Sequence, residues 1–365
     1  MEGRDVKAPV LELSPNRVRR NYRGGILLDQ IEGRKVCADG NQPEDWLAST
    51  TPAINPGMPT VAYEGLGRVS VNGQNLFLSE LFDEHGGYYL GADHMQREGA
   101  NLGFLAKILD SGMRLQTQAH PTKEFARKHL NSPWGKLECY VILGIRPGFP
   151  GGIRLGFQNA PTRDEWREIL KNQDFPRMDA CFETVPVHPG EVWLVPGGMV
   201  HALGAGLLLL EVMEPSDLVV RCEFERDGAI VPPEARFMGR DLEFCLDIFD
   251  YTARSVTEIE SLCRMTPLKI SSSAAHEEEL LLARERTECF SVRRLVVRRP
   301  FRWQPGPGCA RLAVVTEGRG VLNAEGRRIP VAFGSRFLTA AQGGEITIEP
   351  EDGRPLVICW CQPSP

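Results

Sequence analysis

The sequence predicts a mainly β chain with helical insertions, organised as two similar β units. Three observations carry this. Apolar segments are short and are bounded by turn-forming stretches such as "NGQ", "RPGFPGG", "VHPGE" and "AEGRR", in a 365-residue chain with 37 glycines and 27 prolines; that is the texture of strands and tight turns. Helical periodicity is confined to a few places. Finally, "TVPVHPGEVWLVPGGMVHAL" (Thr184 to Leu203) lies without gaps on "RIPVAFGSRFLTAAQGGEIT" (Arg328 to Thr347), matching Pro186 to Pro330, Val187 to Val331, Gly190 to Gly334 and Leu194 to Leu338. A repeat of this kind implies two related structural units.

The helical segments come in three groups. "ANLGFLAKILDSG" (Ala100 to Gly112) spaces Leu102, Leu105, Ile108 and Leu109 at helical intervals before Gly112. "TRDEWREILKN" (Thr162 to Asn172) carries acids in its first turn and a basic residue near its end, as the helix dipole favours. "GRDLEFCLDIFDY" (Gly239 to Tyr251) is the third. Helical insertions are therefore expected over about 80–112, 160–175 and 238–264. The length exceeds one ordinary core, and the serine-rich "SLCRMTPLKISSSAAHEEEL" (Ser261 to Leu280) separates a first domain, 1–264, from a second, 265–365.

Composition excludes several functions. No apolar run approaches the roughly 20 residues of a membrane span. A net charge of −6 gives no general basic footprint for nucleic acid. The arginines of "VRRLVVRRPFRW" alternate with an apolar run, as on a strand with one solvated face, and "HEEEL" (His276 to Leu280) reads as a solvated charge run. The charged N-terminus lacks the apolar core of a secretory leader, so a cytoplasmic location is expected. The ten cysteines include no CxxC pair and read as small buried hydrophobes.

Chemistry concentrates in "LQTQAHPTKEFARKHLNSPWGKLECYVILG" (Leu115 to Gly144). In an extended chain Gln116, Gln118 and His120 share one face, and Lys136 and Glu138 share one face of the next strand. His201, in "PGGMVHALGAG", lies between glycines that allow close backbone approach. Gln118, His120, Glu138 and His201 form a mixed N/O ligand set suited to one Zn²⁺ and tolerant of other divalent metals. His129, after a helix-like "PTKEFARK", and His188, in the "VHPGE" turn, read as surface residues. On the repeat register His201 falls opposite Glu345, and nothing in the second copy matches the Gln-Ala-His step, so that copy is expected to lack metal ligands.

The segments "LQTQAHP", "GKLECY", "VPGGMVHALGAG" and "LLLLEVMEPSDLVVR", together with "EDWLAST", resemble in order the motifs of type I mannose-6-phosphate isomerases, of the cupin superfamily. The resemblance implies two cupin-like β-barrel or jelly-roll units, the first metal-binding. It also implies that Gln118, His120, Glu138 and His201 bind one zinc per chain, that Arg221 lies in the substrate pocket, and that Lys136 and Glu211 line it as candidates for proton transfer. The implied reaction interconverts mannose 6-phosphate and fructose 6-phosphate through an enediol, with a small sugar phosphate, and neither nucleic acid nor membrane, as partner. Two departures bear on the phosphate. Gln116 stands in the substrate pocket where family members carry a small hydroxylated residue, and "CEFERDG" after Arg221 lacks a clear counterpart of the lysine of fungal members, with Arg226 the nearest cation. The alternatives are a related cupin isomerase acting on an unphosphorylated or modified sugar and a non-catalytic sugar-binding cupin.

Overall fold

The computed structural model describes residues 7–71, 73–304 and 308–363. Four sheets hold most of the strands. In the first unit a seven-stranded antiparallel sheet runs in the order Arg264–Met265, Val192–Val195, Glu138–Ile145, Leu207–Met213, Leu105–Asp110, Glu44–Leu47 and Arg17–Val18. Its companion orders Val185–Pro186, Gly152–Leu155, His201–Leu203, Gln118–Ala119 and Val220–Arg221.

The second unit repeats this plan. Its seven-stranded sheet runs Val10–Glu12, Arg336–Thr339, Arg311–Glu317, Leu356–Pro363, Phe290–Val297, His276–Leu282 and Leu268–Ser272, and its smaller sheet runs Phe301–Trp303, Ile346–Pro350, Arg319–Ala324 and Arg327–Ala332. The repeat register places Val192–Val195 onto Arg336–Thr339, the corresponding strand of each large sheet. One strand crosses between the units: Val10–Glu12, from the start of the chain, pairs with Phe337 to Thr339.

The two large sheets pack back to back. Along Glu138–Ile145 the side chains alternate, so Cys139 and Val141 enter a shared apolar layer with Val314, Leu338 and Cys359. Tyr140 and Ile142 turn the other way, toward Trp193, Val195 and Leu209 in the interior of the first unit. A strand covered on both faces reads as an unbroken apolar run, which is why "LLLLEVM" (Leu207–Met213) is buried throughout. The second unit has its own interior, from Val10 and Leu295 to Trp303 and Trp360. All ten cysteines are free thiols, eight of them buried.

The expected helix over Ala100 to Gly112 is a strand. Leu105–Asp110 pairs with Glu44–Leu47 on one side and Leu207–Met213 on the other, and all six of its residues are buried. A short apolar run fits either periodicity, and here pairing on both edges decides it. The helices of that region are Leu78–Tyr89 and Ala92–Glu98. Arg163–Asn172 is helical as expected, with Thr162 and Glu165 forming a capping box that satisfies its first amides. The third group is shorter than expected, with α-helices only at Leu242–Cys245 and Val256–Cys263.

"HEEEL" is not a simple solvated run. It forms a strand whose glutamates pair with the neighbouring arginines, Glu278 with Arg293 at 3.1 Å and Glu279 with Arg294 at 2.7 Å. Among the described residues no helix is long and apolar enough to cross a membrane.

Candidate metal centre and substrate pocket

The smaller sheet of the first unit sets one row of side chains across its strands. Leu155, His201, Gln118 and Arg221 are successive ladder partners. His120, two residues beyond Gln118, shares that face. Glu138 opens the third strand of the opposing sheet and meets this row from the other side. Gly197 lets the loop before His201 lie against the chain that carries His120; a Cβ there would sit 2.7 Å from Thr122 Cα and 2.8 Å from Pro121 O. The next amide, Gly198 N–H, donates to His120 O at 2.6 Å.

His120, Glu138 and His201 are each 1–2% exposed, and ligand atoms of the three lie within 4.8 Å of one another. Each imidazole is anchored through Nδ1 on a backbone carbonyl, His120 on Leu218 O at 2.8 Å and His201 on Met199 O at 2.9 Å. A carbonyl only accepts, so both Nδ1 atoms carry the proton and both Nε2 atoms present lone pairs inward. That is how metal-binding histidines are held. His120 Nε2 lies 3.0 Å from Glu138 Oε1, and His201 Nε2 lies 3.5 Å from Glu138 Oε2. Glu138 Oε1 accepts no hydrogen bond among the described residues, whereas Oε2 accepts from the Tyr140 hydroxyl at 2.5 Å. A buried carboxylate facing two imidazole lone pairs, its Oε1 balanced by the Lys136 ammonium at 3.1 Å, is a donor set that fits a divalent cation. Gln118 turns Nε2 toward His201 at 3.3 Å and Oε1 toward Arg221 at 3.3 Å; binding through oxygen requires its amide to flip.

The electrostatics follow from burial. Desolvation, with the Lys136 charge next, pushes His120 down to about 4, and desolvation also lowers His201. Burial alone would raise Glu138, but Lys136 and the two histidines outweigh it and hold it well below the usual carboxylate range. Lys136 Nζ lies 3.1 Å from Glu138 Oε1.

A polar pocket opens beside this group, lined by Arg20, Tyr22, Glu44, Lys107, Gln116, Gln118, Lys136, Tyr140, Glu211, Asp217 and Arg221 among others. The sequence-predicted Gln116, Lys136, Glu211 and Arg221 are thus together. Arg226 is not among the lining residues, and instead pairs with Glu223. Glu44 and Lys107 were not anticipated, and together with Glu211 they form a buried chain. Lys107 Nζ lies 3.2 Å from Glu44 and 3.3 Å from Glu211, and Glu44 also binds Arg20 at 2.9 Å. Burial, the largest influence, raises Glu211 to about 8 against the opposing pull of Lys107. Arg221 is half-buried and forms no ion pair among the described residues; its side chain donates to Gln118 Oε1, and desolvation lowers its proton affinity.

Buried imidazoles and a carboxylate between two sheets, beside a pocket of paired acids and bases, make an enzyme-type site on a cupin-like β fold, with three residues arranged so that they could hold a metal ion. Comparison with known proteins shows what the chain is similar to. The chain is 36% identical over 153 residues to mannose-6-phosphate isomerase ManA of Bacillus subtilis, a match covering 42% of this chain and 45% of that protein. It is 25% identical over 259 residues to "Probable mannose-6-phosphate isomerase GmuF" of the same organism, covering 69% and 73%. The ManA match thus spans less than half of that relative's length. No family model matches the chain. Among solved structures, mannose 6-phosphate isomerase from Bacillus subtilis superposes with a TM-score of 0.72 at 19% identity, over 97% of this chain and 100% of that one. A point mutant of phosphomannose isomerase from Salmonella typhimurium gives 0.72 at 15% identity, over 98% and 100%. The resemblance read from the motifs is borne out: the chain is similar in sequence to proteins named mannose-6-phosphate isomerase and shares the fold of their solved structures.

Proposed function

We propose that the protein is a metal-dependent aldose–ketose isomerase that interconverts mannose 6-phosphate and fructose 6-phosphate through an enediol. The observation that carries this is the meeting, at one pocket, of three inward-facing ligand atoms, a buried carboxyl with near-neutral proton affinity and a guanidinium with no ion pair among the described residues. Gln118, His120, Glu138 and His201 would hold one cation, with zinc the reading their donor set favours. When bound, the cation supplies Lewis-acid stabilisation of the oxyanion that develops at C1 and C2.

The chain's own groups do the rest. Glu211, raised to about 8, takes a proton from the carbon beside the carbonyl and returns it to the neighbouring carbon, the task for which a pKa near working pH is best suited. Lys107 holds the Glu211 carboxylate in place at 3.3 Å. Arg221, bonded to the ligand Gln118, sits at the reacting end of the pocket, and its planar donors suit the enediolate. Arg20 and Lys136 supply the further positive charge a sugar phosphate needs.

The test is a coupled assay of purified protein on mannose 6-phosphate and on free mannose, with metal analysis of the same sample. Turnover of the phosphate with about one metal per chain supports the proposal. Turnover of free mannose alone keeps the chemistry and overturns the substrate.

A further inference from the structure

The second unit contains a cavity in the place that the substrate pocket occupies in the first, and we infer that it binds an anionic monosaccharide without turnover. The correspondence follows strand by strand. Glu138 is paired with Val195, and Arg311 with Thr339; Val195 and Thr339 are matched by the repeat, so Arg311 takes the place of Glu138. Glu211 is opposite Tyr140, and Trp360 is opposite Ala313, the equivalent position. Lys107 is opposite Glu211, and Arg293 is opposite Trp360. Glu44 faces Leu109 and Glu278 faces Leu295. Even the ion pair is retained, since Arg293 binds Glu278 at 3.1 Å where Lys107 binds Glu44 at 3.2 Å. Gln304 donates to Glu345 at 3.3 Å, in the positions of Gln118 and His201.

What changed is the chemistry. A cation replaces the metal-binding carboxylate, and a carboxylate replaces the histidine. The cavity, of about 350 Å³, is lined by Glu278, Arg293, Phe301, Arg302, Gln304 and Trp360 among others. The Arg293 and Arg311 guanidinium groups lie over the Trp360 ring, 5.0 and 5.5 Å from its centroid. Trp360 is 3% exposed, and its indole Nε1 has no acceptor among the described residues. A buried donor without a partner calls for an acceptor atom. Phe301 stacks on His276 at 3.9 Å at the cavity wall. The Arg302 side chain is 79% exposed and only loosely paired with Glu345, at 3.6 Å, and so can turn to an anion at the mouth.

Aromatic faces suit the apolar side of a sugar ring, Glu278 and Gln304 suit its hydroxyls, and the arginines suit a phosphate or carboxylate. Turnover is not expected there, because neither the ligand set nor the Glu211 carboxyl is reproduced. This assignment stands independently of the isomerase proposal.

The test is calorimetric titration of the full chain, pretreated with chelator, with glucose 6-phosphate and separately with inorganic phosphate. The expected result is one sugar-phosphate site per chain that persists in His201→Ala and weakens at least tenfold in Arg302→Ala and in Glu278→Gln. Trp360→Phe, which keeps the packing, should weaken binding and remove most of the accompanying fluorescence change. Isomerase activity should be unchanged in Arg302→Ala. Absence of binding at millimolar ligand, binding indifferent to these substitutions, loss of binding in His201→Ala, or equal affinity for inorganic phosphate would each overturn the inference.

Discussion

Lys107 and Glu211 face each other across neighbouring strands, with Nζ 3.3 Å from Oε1. The pair is buried, and the same ammonium also serves Glu44. Lys107→Met therefore leaves two interior carboxylates with one fewer cation. Breaking a buried pair in this way costs about 3–5 kcal/mol, to be read from urea unfolding. Because Lys107 opposes the upward push of burial on Glu211, its loss also moves the acid–base limb of the rate profile to higher pH.

Glu211→Gln keeps the shape of the pocket but removes the group proposed to carry the proton. The expected result is a fall in kcat of about 10²–10⁴-fold with metal content unchanged. A variant retaining more than a tenth of wild-type kcat would shift the role to Lys136.

His120→Ala and His201→Ala each remove one inward lone pair and leave Glu138 without a matching donor set. Both variants should emerge from purification with less than a tenth of the wild-type metal by elemental analysis. The wild type should unfold at lower temperature after chelation, since a ligand bound only by the folded state stabilises it.

In the metal-free protein His120 makes stability pH-dependent. Its folded value of about 4 lies below the ordinary 6.5, so between these values the unfolded chain binds the proton and the folded one does not. The contribution is complete above pH 6.5 and is lost on acidification toward pH 4, amounting to about 3 kcal/mol. Glu44, held low by Arg20 and Lys107 despite burial, acts in the same direction below about pH 4.5. Denaturant titrations from pH 7 to pH 4 should show this slope, and His120→Gln should flatten its upper part.

Arg221→Lys retains the charge but not the planar donor fork. If the guanidinium serves the enediolate, kcat falls about 10²-fold while KM for mannose 6-phosphate changes little. A rise in KM at constant kcat would instead place Arg221 on the phosphate.

The candidate metal ligands were legible because strand alternation puts Gln118 and His120 on one face and because Glu138 interrupts an apolar run at its first position. The repeat was legible for a related reason, as the turns that bracket Val192–Val195 recur around Arg336–Thr339. Lys107 was hidden by the helical reading of its segment, in which a lysine among leucines belongs to a solvated face. As a strand residue it points inward. Glu44 and Tyr22, which are hydrogen-bonded to each other, carry no local signal of function. Strand pairing alone brings Glu44 opposite Leu109. The glutamates of "HEEEL" looked solvated because their partners, Arg293 and Arg294, lie in the next strand.

The pairing of Val10–Glu12 with Phe337 to Thr339 has a bearing on how the molecule is made. This strand is translated well before its partner, with nearly the whole of both units between them. Contacts of such separation are slow to form. A nascent chain must therefore carry this strand unpaired until the second unit has been made, and a bulky insertion directly before Val10 would burden the closure of the far unit rather than the folding of the near one.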